Sequence, residues 1–100
     1  MQVEFRNKKL ERCFTSQQQA FRAWGDVVGK KYIQRIGILQ VSANLDVLCS
    51  LPGLKCHPLK GERKGQYAIS LTGFWRLIIT FRDDRFEVVC VEEVSKHYDD

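Results

Sequence analysis

No apolar run in this sequence approaches the ~20 residues that a bilayer-spanning helix needs. The opening stretch MQVEFRNKKLERC carries charges but lacks the apolar centre of a signal peptide. The expectation is therefore a soluble, cytoplasmic protein with no membrane partner. Repeats, low-complexity tracts and linkers are also missing, so residues 1–100 are expected to form a single domain. Cysteine is present only as Cys13, Cys49, Cys56 and Cys90, with no C-x-x-C pair of the zinc type. Cys56 and His57 are adjacent, which makes them poor co-ligands of one metal. The four thiols are expected to be reduced, with no metal and no cofactor. Histidine is scarcer still, at His57 and His97 alone.

What is there begins with charge. A formal net charge of +4 biases the chain towards an anionic partner such as nucleic acid, a ribosome or an acidic protein. With 44% hydrophobic residues it can build a core, though not a large one. Val3 to Arg6 alternates as a short strand, and Leu10 and Phe14 share one face of a helix over Lys8–Phe14. From Gln17 to Gln40 the apolar positions Ala20, Phe21, Trp24, Val27, Val28, Tyr32, Ile36 and Leu39 step by threes and fours, the clearest helical pattern present. Gly25 predicts a break there, with Asp26 capping a second helix. Ser42 is expected to cap a short helical turn that ends at Leu51-Pro52-Gly53.

Beyond Leu54 the period changes to two. Strands are expected over Leu54–Leu59, Gln66–Leu71, Phe74–Phe81 and Phe86–Val94, with turns at Thr72-Gly73 and Asp83-Asp84-Arg85. Helices followed by hairpin-linked strands make an α+β arrangement. The helices cover one face of an antiparallel sheet, and the other face is left for polar residues. Between His57 and Leu77 a loop carries Lys60, Arg63 and Lys64 between Gly61 and Gly65, and a strand carries Arg76. Alternation places Arg76 with Phe74 and Ile78 and opposite Trp75. There it either pairs with a carboxylate such as Glu87 or Glu92 or clamps a phosphate. Phe74, Trp75, Phe81 and Trp24 are read as core.

The stretches KKLERCF (8–14), LPGLKCHPLKGERKGQYAISL (51–71) and GFWRLIITF (73–81) carry a family resemblance. They resemble the HigB-type toxins of the RelE/ParE toxin–antitoxin superfamily, also described as plasmid maintenance system killer proteins. The resemblance spans nearly the whole chain, but from Phe14 to Ser50 it is one of character only. It implies a RelE/ParE-like fold: an N-terminal strand and two to three helices packed on a curved antiparallel sheet of about four strands. It implies a toxin that cuts messenger RNA in the ribosomal A site, and a cognate helix-turn-helix (HigA-like) antitoxin as partner. Residue by residue, it points to His57, Lys60, Arg76 and His97 as catalytic. Relatives often close with Asp-Tyr-His, where this chain has Ser95-Lys96-His97-Tyr98-Asp99.

Cleavage by the RNA's own 2′-hydroxyl needs a base, an acid and cations at the phosphate, and no metal. The two histidines suit the first two roles. Lys55, Arg63 and Lys64 are expected to contact RNA or the ribosome, and Tyr98 to stack on a base. Loop charge runs are usually just solvated, and the bland reading of His57, a residue fixing the turn before Pro58, is outweighed by the family match. Two other functions stay open at this point: a ParE-like inhibitor of DNA gyrase, and a non-catalytic, antitoxin-binding relative.

Overall fold

The computed structural model describes residues 1–96. In chain order the elements are β1 (Gln2–Phe5), α1 (Lys8–Thr15), α2 (Gln17–Trp24), α3 (Asp26–Val41), α4 (Leu45–Ser50), β2 (His57–Pro58), β3 (Tyr67–Thr72), β4 (Trp75–Phe81) and β5 (Val88–Lys96). A single 3-10 turn, Gly61–Arg63, lies between β2 and β3. The α+β expectation holds, with four helices and five strands.

The sheet order is β1-β5-β4-β3-β2. Strands β2 to β5 are antiparallel neighbours, as expected of hairpins. The N-terminal strand joins the same sheet, but parallel to β5, with Val3 opposite Val89 and Phe5 opposite Val91. The sheet is thus mixed. The helices between β1 and the hairpins act as the crossover that a parallel pairing requires.

Local chemistry sets the element ends. Asn7 and Ser16 accept hydrogen bonds from Leu10 N and Gln19 N and so cap α1 and α2. The break at 25–26 is where it was expected, but Gly25 rather than Asp26 is the capping position, at φ +85°. Asp26 is instead the first helical residue, where its charge suits the helix dipole. The expected cap of α4 is also displaced. Asn44 Oδ1 accepts from Val47 N at 3.1 Å. Ser42 closes α3, its hydroxyl donating to Ile38 O at 2.7 Å. In the stretch expected as a strand from Leu54 to Leu59, only His57 and Pro58 pair. Leu54 is buried and its carbonyl accepts from Ser70 N.

The core lies between the helices and one face of the sheet. Val28, Tyr32, Ile36 and Leu39 of α3 meet Ile69, Leu71, Leu77, Ile79, Val89 and Val91. A fully buried aliphatic side chain of this kind contributes roughly 1.5–3 kcal/mol. The alternate strand positions turn away from the helices and form the outer face. Phe74 departs from the core reading: it is 50% exposed. The Gly73-Phe74 pair is the hairpin loop itself, with Thr72 opposite Trp75, so Phe74 has no strand face on which to be buried. Gly73 takes φ +54°, a left-handed conformation suited to the first position of such a loop.

Candidate active site

Residues directly opposite one another in a sheet present their side chains to the same face. Register therefore draws the site. His57 is opposite Ala68, Ala68 opposite Ile78, and Ile78 opposite Glu93. These four positions form a row across β2, β3, β4 and β5 on the outer face. A second row runs Ser70, Arg76, Ser95. Ala68 and Ile78 are buried, yet they stand apart from the helix-side core.

His57 is held by its own chain. Its Nδ1 lies 2.8 Å from Lys55 O. A carbonyl only accepts, so Nδ1 carries the proton and Nε2 of the neutral ring is the lone-pair nitrogen. Lys55 takes φ 51°, a left-handed conformation costing roughly 1–2 kcal/mol in a non-glycine residue. The expected RNA contact at Lys55 thus also has a main-chain role, turning its carbonyl onto the histidine. The neighbouring Cys56 thiol is pushed up by burial and then by a hydrogen bond with Cys49. It is a protonated thiol, which is a poor nucleophile.

Arg76 lies on the face that alternation assigned to it. Its Nη1 donates to Gly73 O at 3.1 Å and to Trp75 O at 3.2 Å, which ties the guanidinium to the hairpin end. Strand spacing puts the Cα atoms of His57 and Arg76 roughly 12 Å apart, two strands across and two residues along. The guanidinium is turned towards the hairpin end, so His57 and Arg76 share the outer face without meeting on it.

The loop cations separate. Lys60 and Lys64 line an open groove of about 470 Å³ at the β2 edge, with Pro58, Leu59, Gly61, Gly65 and Tyr67. Tyr67 points to the helix side, where it meets Phe81 edge to face at 5.6 Å. Arg63 goes the other way. Its Nη2 reaches Glu93 Oε1 at 2.5 Å, although 30 residues separate the two. The loop joins β2 to β3, so this pair ties it to a strand two places away in the sheet. Its Nη1 is buried without a hydrogen-bond partner among the described residues. An unsatisfied donor of this kind costs roughly 1–3 kcal/mol. His97 and Tyr98 lie outside the described residues.

Glu93 is the residue that sequence reasoning missed. Strict alternation along β5 puts Glu92 and Glu93 on opposite faces. The register shifts between Ile78 and Ile79, however, so that Ile78 faces Glu93 while Ile79 faces Val91. Glu92 is the extra residue of this bulge, and both glutamates turn outward. Glu92 accepts from Thr80 Oγ1 at 2.7 Å and pairs with Arg6 at 3.5 Å. Farther along, Arg82 pairs with Glu4 and donates to Cys90 Sγ at 3.3 Å. Burial, then Glu92 beside it, pushes the Cys90 thiol up.

The sequence model of one protein family, described as the RelE-like toxin of type II toxin–antitoxin system HigB, matches residues 3–93. The chain belongs to this family. It is a RelE-like toxin of a type II toxin–antitoxin system. Among solved structures it is similar to a YoeB/ParE toxin from Agrobacterium tumefaciens, at TM-score 0.65 and 15% identity over 98% of this chain and 100% of that one. A mutant of YafQ from E. coli matches at TM-score 0.62 and 20% identity, over 95% of this chain and 91% of that one. The E. coli DinJ–YafQ toxin–antitoxin complex matches at TM-score 0.58 and 21% identity, over 95% and 90%. At these identities the likeness is one of fold. No curated protein sequence matches. Among the described residues no helix is long and apolar enough to cross a membrane.

Proposed function

We propose that this toxin is an endoribonuclease that cuts messenger RNA on the ribosome, using the outer face of the sheet. The observation that carries the reading is His57. Its proton is committed to Lys55 O through Nδ1, so Nε2 is the base, and Arg76 occupies the same face. In the reaction, Nε2 of His57 takes the proton of the 2′-hydroxyl. The 2′-oxygen attacks the neighbouring phosphorus, and the bond from phosphorus to the 5′-oxygen breaks. The products are a 2′,3′-cyclic phosphate and a new 5′-hydroxyl, whose oxygen must receive a proton. His97, to which the family resemblance points, is assigned the role of acid in that step. Arg76 stabilises the charge that builds on the phosphate oxygens. Lys60 and Lys64 draw the RNA backbone or ribosomal RNA to the edge groove, with Lys55 and Tyr98 as further contacts. The partner is a cognate antitoxin, a reading supported by family membership and by the solved DinJ–YafQ complex, and its helix-turn-helix, HigA-like kind is what the resemblance implies.

The test is induction of wild type, His57→Ala and Arg76→Ala, with 5′-end mapping of cellular mRNA and growth curves. Circular dichroism confirms that each variant is folded. Wild type is expected to arrest growth and cut mRNA within codons. Loss of a general base should slow cleavage by roughly 10²- to 10⁴-fold. Folded variants that cut at the native rate would refute the assignment. Arrest with intact mRNA and inhibited DNA gyrase would replace the reading altogether.

A further inference from the structure

We infer that Arg63 is a third cation of the catalytic face, contacting the phosphate between His57 and Arg76, and that Glu93 is the positioning residue that holds it there. The inference rests on the endoribonuclease reading above. Sequence reasoning grouped Arg63 with the loop lysines, but the structure separates it from them. Lys60 and Lys64 line the edge groove, whereas the Arg63 guanidinium ends at β5, on the row that begins with His57.

Among the described residues, Arg63–Glu93 is the only polar side-chain link from the loop 59–66 to the rest of the molecule. The other hydrogen bonds of the loop close it on itself: Leu59 N to Gln66 O, Arg63 N to Lys60 O, Lys64 N to Gly61 O and Gln66 N to Arg63 O. Gly61 and Gly65 flank the arginine at φ +66° and +95°, conformations that glycine adopts freely. Where Arg63 sits is therefore decided by Glu93, and Glu93 faces outward only because of the bulge. Stability does not account for the pair. Its side chains are 39% and 44% exposed, a setting in which ion pairs contribute little. One guanidinium nitrogen is left buried and unpartnered. Placement is what the pair provides. The side chain as a whole is 39% exposed, and a guanidinium matches phosphate oxygens better than a lysine ammonium does.

The test measures kcat and KM on ribosomes programmed with a short synthetic mRNA. Misplacing a transition-state cation should lower kcat in Glu93→Gln by roughly tenfold or more. KM should not rise, because the substitution removes a negative charge from a face that takes a polyanion. Glu93→Asp, which keeps the carboxylate, should recover part of kcat. Arg63→Met should lose at least as much as Glu93→Gln, and adding Glu93→Gln to it should change nothing further. Wild-type kcat in Glu93→Gln overturns the inference and leaves the endoribonuclease reading standing. So does a raised KM with unchanged kcat, or a full additional loss in the Arg63→Met background. A wild-type toxin that leaves the mRNA whole overturns both.

Discussion

Alanine at Gly29 and alanine at Gly37 are the same chemical change on the same helix, yet their effects on stability should have opposite signs. A Cβ on Gly29 would lie 2.8 Å from Phe21 Cδ1, 3.0 Å from the carbonyl carbon of Ala20 and 3.1 Å from its oxygen. The phenyl ring can turn aside. The Ala20 backbone cannot, because it is fully buried within α2 and moves only if α2 and α3 part. A Cβ on Gly37 would meet nothing within 4 Å. Replacing glycine by alanine in a helix interior stabilises by up to about 1 kcal/mol. Overpacking a tight contact costs about 1–3 kcal/mol. Gly29→Ala should therefore lose up to about 2 kcal/mol net, and Gly37→Ala should gain about 0.5–1 kcal/mol. For a domain of this size, 1 kcal/mol moves Tm by roughly 4–8 °C. Thermal unfolding by far-ultraviolet circular dichroism, with urea midpoints as a check, reads both variants. A Gly29→Ala protein as stable as Gly37→Ala would refute the close α2–α3 contact.

The other predictions concern a buried hydroxyl, an acid limb and a salt slope. Tyr32 is fully buried, and its hydroxyl donates to Leu10 O at 2.6 Å; Tyr32→Phe should lower urea stability by about 1 kcal/mol, and an unchanged midpoint would contradict the bond's contribution. The Asp83 carboxyl is held below its usual value by backbone N–H groups, Val88 first and Glu87 next. With the folded value lowered, its stabilisation is present above the unfolded pKa of about 3.9 and is lost as pH falls through the folded value. Asp83→Asn should flatten that part of the urea-midpoint profile between pH 6 and pH 2, and an unchanged acid limb would count against it. If Lys60 contacts a phosphate, Lys60→Ala should reduce the slope of log K against log salt for RNA binding by about 0.7. An identical slope would place Lys60 away from the backbone.

Much of the fold was legible because burial imposes a period. The stripe from Ala20 to Leu39 is apolar at helical spacing, and those residues do meet the sheet. Alternation also put Arg76 on the face away from Trp75, and Gly25 marked the helix break. Other features leave no such trace. A short alternating strand reads the same whether its neighbour is parallel or antiparallel, so the pairing of β1 with β5 was not visible. Ser42 and Asn44 are both good caps, and only the backbone path decides between them. On the outer face, alternation placed Arg76 correctly, whereas Arg63, read as a loop contact to RNA or the ribosome alongside Lys60 and Lys64, gave no sign of its partner on β5. The place of Glu93 was hidden because a bulge changes the period for one residue only.

That bulge bears on how the site balances its charge. Relatives of the resemblance often carry an aspartate where this chain has Ser95, and Ser95 lies in register with Arg76. A carboxylate at that position would face the strand arginine directly. Here a carboxylate stands two residues earlier, at Glu93, which keeps it on the same face. It meets a guanidinium delivered by the loop instead of one delivered by β4. The outer face so built carries Arg63 on Glu93, with Arg76 on the neighbouring row and His57 at the far end of Glu93's own row, and the core residues point the other way. Substitutions on this row should therefore alter chemistry before they alter folding. Loss of Glu93 should cost little stability, since a half-exposed pair contributes about 0–1 kcal/mol. A large fall in turnover from Glu93→Gln, absent when Arg63 is already Met, would consequently come from the placement of Arg63 and not from unfolding.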